Sequence, residues 1–547
     1  MEFFDKYINP IHLLGLRSHL RTKRFLYTFN LTILLMIGAM LLGFFFMSME
    51  RMATASIGKS LFMIFSIMQY IVVSLVFPAF SCTAIISEKE GKTYDLLVTA
   101  NLSPSDIVWG KFLSAFTHCA MFLISSLPVV MMAFLFGGIT PDLLAITYGV
   151  LFAYSALIVM LCLAISSIYK TITRAIIASY VVIIVLNSFV SPVLFYLLVD
   201  YLYFSEISRF FISIGGYGSL NVFLTIYIMP PFLFFSLIFA PYLVAKNSLR
   251  TYANNRSTAL RAYFVIFGTS LLAIFLTYYI NTIFSVGQKL DYEMIIVSSG
   301  FCFGVVGLLS LIGAIGFAGE NAVPEKFVMK RLSEYLKAGR IRKIFNWKLF
   351  ITLLGPGSYR GGRFVCTMSI LWMLIFLVGT MFLVESLGIK NNRFFKKYTH
   401  SYIEQLAISG LVVFSFTYFF CMLSTFLSFR IKQAGFRRAI LFCISLFLVV
   451  LLPLYALFYM EAENYFGANL ANLQYLSPSL CFGLSLAPVA DLKTTYYNYL
   501  IYEIPLHYYH IFIYLFIGVI FHFQNRRSSL QRWKKLEEEE QEILNMK

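Results

Sequence analysis

Twelve long apolar segments, each of 20 residues or more, contain no Asp, Glu, Lys or Arg, and no other feature constrains the fold of this chain as much. They run Phe25–Met49, Leu61–Ile86, Phe112–Gly138, Leu143–Tyr169, Ala175–Val199 and Val222–Ala245, then Ala262–Gln288, Met294–Gly319, Phe364–Val384, Gln405–Phe429, Ala439–Met460 and Ile504–Phe523. A helix needs about 20 apolar residues to cross the hydrocarbon of a bilayer. In lipid a helix satisfies its own backbone, whereas irregular chain would leave polar groups stranded. The pattern therefore predicts an all-α polytopic membrane protein with twelve transmembrane helices. Composition agrees: 59% of the 547 residues are hydrophobic and 13% are charged, against roughly 25% charged in a soluble domain.

An even number of crossings puts both termini on one side, and the basic residues say which. The loops on the side of the termini hold 34 of the 43 Lys and Arg residues, leaving 9 for the other side. Basic residues stay on the cytoplasmic side and acids contribute little to orientation, so both termini are expected to be cytoplasmic. The net charge of +17 sits in short loops beside the membrane, where it sets orientation and meets anionic lipid. It does not point to nucleic acid. Of the eight cysteines only Cys481 is expected in an outer loop, so a disulfide framework is not expected, and no CxxC spacing suggests a metal.

The basic stretch Lys246–Arg261 divides the chain into six segments and six. In each half the fourth and fifth segments are joined by a very short basic loop, within 166–177 and 427–441, and both loops end in Arg-Ala-Ile. In each half a longer outer stretch precedes the last segment. The second of these contains LSPSLCFGLSLAP (476–488), whose Pro and Gly placement suggests a short re-entrant element. The expected organisation is a first six-helix half over 1–250, a second over 251–524 and a charged tail over 525–547. In the long loop between Glu320 and Arg363, Phe327, Leu332, Leu336 and Ile344 stand near helical spacing among Lys and Arg. That reads as an amphipathic helix on the membrane or against a partner.

The most informative loop is SEKEGKTYDLLVTANLSPSDIVWGK, residues 87–111. Glu88, Lys89, Glu90 and Gly91 come first, then Leu96 and Leu97, then Leu102, Ser103 and Pro104. Ser103 suits a helix N-cap, Pro104 the first helical position and Asp106 the positive helix terminus. The stretch is either an ordinary interfacial loop or a short helix whose two leucines offer a knob to a partner's groove.

The order Glu-Lys-Glu-Gly, Leu-Leu-Val-Thr, Leu-Ser-Pro, Ile-Val-Trp-Gly-Lys resembles the second cytoplasmic-loop signature of type-2 ABC exporter permeases. SSLPVVMMAFLFGG (125–138) and the N-terminal NPIHLLGLRSHLRTKR (9–24) are similar to that family too, and the likeness covers roughly residues 9–250. The second half resembles it only in its segment pattern, for the loop 320–363 lacks Glu-Lys-Glu-Gly and Leu-Ser-Pro. The resemblance implies a permease in a bacterial inner membrane that exports its substrate. Its partner would be an ABC ATPase on separate chains, which would hold ATP and Mg, with no cofactor on this chain; further membrane or periplasmic subunits are compatible with it. Glu88–Lys111 would be the loop that couples ATPase closure to the helices.

Residues 53–60, ATASIGKS, fit the loose phosphate-loop pattern. Such a loop needs a preceding strand and a soluble helix after it, and this stretch lies between two membrane segments. Proton-driven carriers place carboxylates within their spans; here there are none, which disfavours an ion-coupled carrier. Gln69, His118, Asn187 and Asn281 are the polar candidates for a pathway, and Phe, Tyr, Ser and Thr would line it, suiting an amphipathic or lipid-like substrate. No catalytic constellation stands out, so the chain is not expected to be an enzyme. A rival reading from another class is a non-transporting scaffold that anchors a partner complex.

Overall fold

The computed structural model describes residues 10–20, 23–49, 54–94, 99, 102–169, 171–204, 228–250, 257–286, 292–317, 320, 355, 357–386, 393–431, 433–452, 477–486, 500–501 and 504–545. Among these the chain is almost wholly helical, and nine helices are long and apolar enough to cross a membrane. Two further apolar stretches, Ile172–Ser188 and Cys302–Phe317, are shorter within the described residues. The protein is an all-α polytopic membrane protein. Its helices group into two compact units, one ending with the helix that closes at Leu249 and one beginning at Thr258.

The first unit contains α1 (Pro10–Leu20), α2 (Lys23–Met49), α3 (Thr54–Ser81), the short α4 (Ile86–Glu90), α5 (Pro104–Leu135), α6 (Pro141–Ile168), α7 (Ile172–Phe204) and α8 (Met229–Leu249). α6 is its centre, packing against α3, α5, α7 and α8. Lipid gives no hydrophobic drive between helices, so small residues and interhelical hydrogen bonds must hold them. The buried face of α6 accordingly carries Ser155, Ala156, Ala164, Ser166 and Ser167 among its larger side chains. α2 shows the opposite pattern, with Leu34, Leu41 and Phe46 exposed to the surroundings. Between α5 and α6 the chain reverses at Gly137 and Gly138, both with positive φ, a conformation glycine adopts without steric cost. Thr140 then caps α6, accepting from Leu143 N, and Pro141 takes the first helical position.

The second unit contains α9 (Thr258–Val286), α10 (Tyr292–Phe317), α11 (Ser358–Ser386), α12 (Arg393–Arg430), α13 (Ala434–Leu446), α14 (Pro478–Leu486) and α15 (Leu506–Asn545). Its centre is α12, which packs against α10, α11, α13, α14 and α15. α9 and α11 approach closely where Gly268 faces the Trp372 ring; a Cβ on that glycine would fall 2.3 Å from the indole. A π-helical turn, Phe447–Leu451, continues α13. α14 lies where a re-entrant element was expected and seats on α12 and α15, and Cys481 is buried within it. The last helix is preceded by a two-residue antiparallel pair, Leu500–Ile501 with Ile504–Pro505. α15 then runs 40 residues without a break, about 60 Å at 1.5 Å per residue. The apolar segment and the charged stretch after residue 524 are thus one rod. Asn525 Nδ2 donates to Met422 O at 2.9 Å and Arg532 Nη2 to Phe429 O at 3.0 Å, which fixes that rod against α12.

Candidate functional site

The site is built where α3 gives way to α4. α3 contains Pro78, and a turn over Cys82–Ile85 redirects the chain. Ile85 and Ile86 are fully buried, and their backbone N–H groups both donate to Ser166 Oγ near the end of α6, at 3.2 and 3.0 Å. α4 is anchored from below before its charged residues begin.

Those three residues then reach three different helices. Glu88 pairs with Lys111 on α5. Lys89 Nζ donates to Ser167 O at the end of α6 and lies over the Tyr94 ring. Glu90 Oε1 accepts from Ile172 N, the first residue of α7, at 2.8 Å. A carboxylate at a helix N-terminus is favoured by the unpaired N–H groups there. Tyr94 adds a fourth tie through its hydroxyl, which donates to Leu249 O at the end of α8 at 3.0 Å. The loop is therefore a junction touching α5, α6, α7 and α8. After α4 the chain turns at Lys92, which has φ 57°, while Gly91 before it is right-handed. Thr93 closes the turn by donating to Glu88 O from its N–H at 3.0 Å and its hydroxyl at 3.2 Å.

Leu96 and Leu97 lie outside the described residues. Leu102 is half-buried and leads into Ser103. Ser103 forms a reciprocal cap with Asp106: Asp106 N donates to Ser103 Oγ and Ser103 N donates to Asp106 Oδ2, both at 3.2 Å. Pro104 follows at the first helical position. Ser105 and Tyr242 share a 2.6 Å hydroxyl hydrogen bond, and Trp109 packs on Tyr242, so α8 is tied to the start of α5 as well. The sequence reading singled out 88–91 and 102–104 but gave no role to Ser166, Ser167, Tyr94 or Tyr242. Only the serine pair ahead of the short basic loop could have hinted at one.

The candidate pathway residues are placed differently. Gln69 is fully buried, and its amide donates to Ser126 Oγ at 2.5 Å and Tyr148 Oη at 2.9 Å. Asn187 Oδ1 accepts from Tyr70 at 3.0 Å and from Tyr154, and Tyr154 shares a 2.9 Å hydrogen bond with Ser74. These bonds join α3, α5, α6 and α7 within one unit. His118 is buried and bonds through Nδ1 to Ser114 O of its own helix at 2.5 Å. Asn281 lies on α9, and its side chain is outside the described residues. Within the first unit, Gln69 and Asn187 bond to different tyrosines of α6, and His118 bonds within α5.

The phosphate-loop-like stretch is helical from Thr54 onward. Its glycine has a packing reason: a Cβ on Gly58 would fall 2.2 Å from the carbonyl oxygen of Gly137. Among the described residues no group of three or more His, Cys, Asp or Glu is arranged to hold a metal.

A bundle of apolar helices long enough to cross a bilayer defines an integral membrane protein. The profile of the family described as ABC-2 family transporter protein matches residues 11–290, a little over half of the chain, and the chain belongs to that family. It is the membrane permease type of an ABC transporter. The match covers the first unit and continues through α9. No curated protein and no solved structure matches the chain.

Proposed function

We propose that the chain is the export permease of an ABC system in a bacterial inner membrane. A separate ATPase chain binds ATP and Mg and drives it through Glu88–Lys111. The observation that supports this is the junction at α4, where three consecutive charged residues grip the starts of α5 and α7 and the end of α6. A push on that loop reaches several helices together, which a partner needs in order to move a bundle. In this reading the chain crosses the membrane twelve times, has both termini in the cytoplasm and works as two six-helix halves. The matched surroundings of α6 and α12, each central in its unit, support the two-half organisation. The substrate is amphipathic or lipid-like, since the spans carry aromatic and hydroxyl side chains and no carboxylates.

The loop is tested by replacing Leu96 and Leu97 with Asp. Burying two leucines in a partner groove is worth roughly 3–6 kcal/mol, at about 1.5–3 each, so binding should fall by orders of magnitude. We expect the tagged variant to insert normally but to lose the copurifying ATPase, and Leu332→Asp with Leu336→Asp to do less. A harmless first pair removes this loop as the coupling site. Orientation is checked by cysteine labelling in a background without native cysteines: a probe within 461–503 should label from outside, and one within 321–354 should not.

A further inference from the structure

In the second unit the charged edges of two apolar runs meet. Arg363 is the last charged residue before the run Phe364–Val384 of α11, and Arg526 is the first after the run Ile504–Phe523 of α15. Each follows a ring by one helical turn, Tyr359 on α11 and His522 on α15, and those two rings lie 6.3 Å apart. Arg363 reaches back over the Tyr359 ring at 5.7 Å, and both arginines bear electrostatically on the His522 imidazole. A helical side chain leans toward the N-terminus of its helix. α11 enters its apolar run here and α15 leaves its own, so that lean carries both guanidiniums toward the same ring pair.

Tyr418 of α12 stands behind the rings, stacked on His522 at 6.4 Å. Gly518 makes room for it, since a Cβ there would fall 2.8 Å from the Tyr418 ring. His522 Nδ1 is buried and finds no hydrogen-bond partner among the described residues. Arg363 and Arg526 are exposed. Among the described residues the ion pairs are Glu88 with Lys111 and Arg261 with Glu320, so no carboxylate pairs with either arginine. Two unopposed cations beside one imidazole call for an anion.

The neighbouring surface says which anion. Phe512, Phe516 and Phe523 are exposed on α15, and steps of four, seven and then three residues carry that face to Arg526. On α11, Ile370, Leu374 and Val378 are exposed on the apolar side of Arg363. A free phosphate needs only the cations. A lipid needs cations at the edge of the hydrocarbon with apolar surface beside them, and basic pockets between membrane helices bind anionic headgroups in this way.

We propose that Arg363 and Arg526 form a site for the phosphate of an anionic phospholipid, whose acyl chain lies along the phenylalanine face of α15. Lipid bound there ties α11 to α15, which each pack on α12. The site requires only the membrane spans and is independent of what drives transport.

The test uses the full chain, delipidated in an uncharged detergent, with Tm read during titration. The probes are dioleoylphosphatidylglycerol, dioleoylphosphatidylcholine and inorganic phosphate; the second has the same chains and no net charge. Phosphatidylglycerol should raise the Tm of the parent, and the other two should not. In Arg363→Gln with Arg526→Gln the midpoint of that titration should rise about thirtyfold, since each arginine near anionic lipid is worth about fivefold. Lys534→Gln with Lys535→Gln removes as much charge further along α15 and should titrate like the parent. If the arginine pair does not purify, Arg526→Gln alone should raise the midpoint about fivefold. A parent that does not respond to phosphatidylglycerol overturns the site, and so does an arginine variant that titrates like the parent. An equal loss in the lysine pair overturns it in favour of diffuse attraction. An equal response to inorganic phosphate, or to phosphatidylcholine, overturns the lipid assignment in favour of a free anion or of acyl chains alone.

Discussion

In the first unit Glu88 meets Lys111 with both side chains partly exposed, 22% and 17%, whereas in the second Arg261 meets Glu320 at 0% and 16%. Both pairs close the ends of a loop, but their surroundings differ. Water and salt reach the first pair and screen it, and exposed pairs of that kind are worth about 0.2–1 kcal/mol. In the second pair the guanidinium is wholly out of water, held between two phenyl rings and bonded to backbone carbonyls, while Glu320 keeps a partly exposed edge. The first junction spreads its hold over several weak ties from consecutive residues; the second concentrates it in one guanidinium.

The starts of the two helices that follow differ in the same sense. α5 is capped by its own neighbours, Ser103 and Asp106, three positions apart. α11 begins at a backbone N–H held by Glu320, 37 positions earlier in the chain.

This contrast can be broken by substitution. Arg261→Met should have the largest effect, because it leaves Glu320 without its charge partner; removing one member of a buried pair destabilises by about 3–5 kcal/mol. Thermal unfolding of the detergent-solubilised chain should show it as a clear drop in Tm. Lys111→Met should lower Tm much less, in line with the roughly 0.2–1 kcal/mol of a solvent-reached pair, and raising salt should shrink the difference from the parent further. Equal drops for Arg261→Met and Lys111→Met would mean that burial does not separate the two pairs. Ser103→Ala should be the mildest in its reach, about 1 kcal/mol for a lost N-cap, and amide exchange should report it as fraying confined to the first turn of α5. Fraying that spreads to α7 or α8 would show that the first junction is as concentrated as the second.

Much of the architecture was legible because a helix in lipid satisfies its backbone alone. Each span is therefore written locally: the apolar run Leu143–Tyr169 lies within the helix Pro141–Ile168 but for its last residue, and Phe364–Val384 lies inside Ser358–Ser386. Boundaries went astray where a helix outlasts its apolar run. α12 starts at Arg393, twelve residues before the uncharged stretch, and α15 continues through the charged tail. Charged residues end an apolar pattern without ending a helix, since Lys, Arg and Glu are good helix formers. The burial of Cys481 was not legible, because Pro and Gly signal a break in the chain and cannot say what the segment packs against.

The sequence by itself determined the helices, their caps and the identity of the charged loop, because each depends on residues within a turn or two of one another: Ser103 with Asp106, Thr140 with Leu143. Tertiary structure alone decided which helix ends meet. Glu90 finds Ile172 across 82 positions, Glu320 finds Arg261 across 59, and Gln69 finds Tyr148 across 79. No periodicity announces such pairs, since a lone Glu after an apolar run reads the same whether it faces water or a buried guanidinium. The packing of α6 and α12 among their neighbours brings those groups within hydrogen-bond distance, and once they are out of water a partner is required.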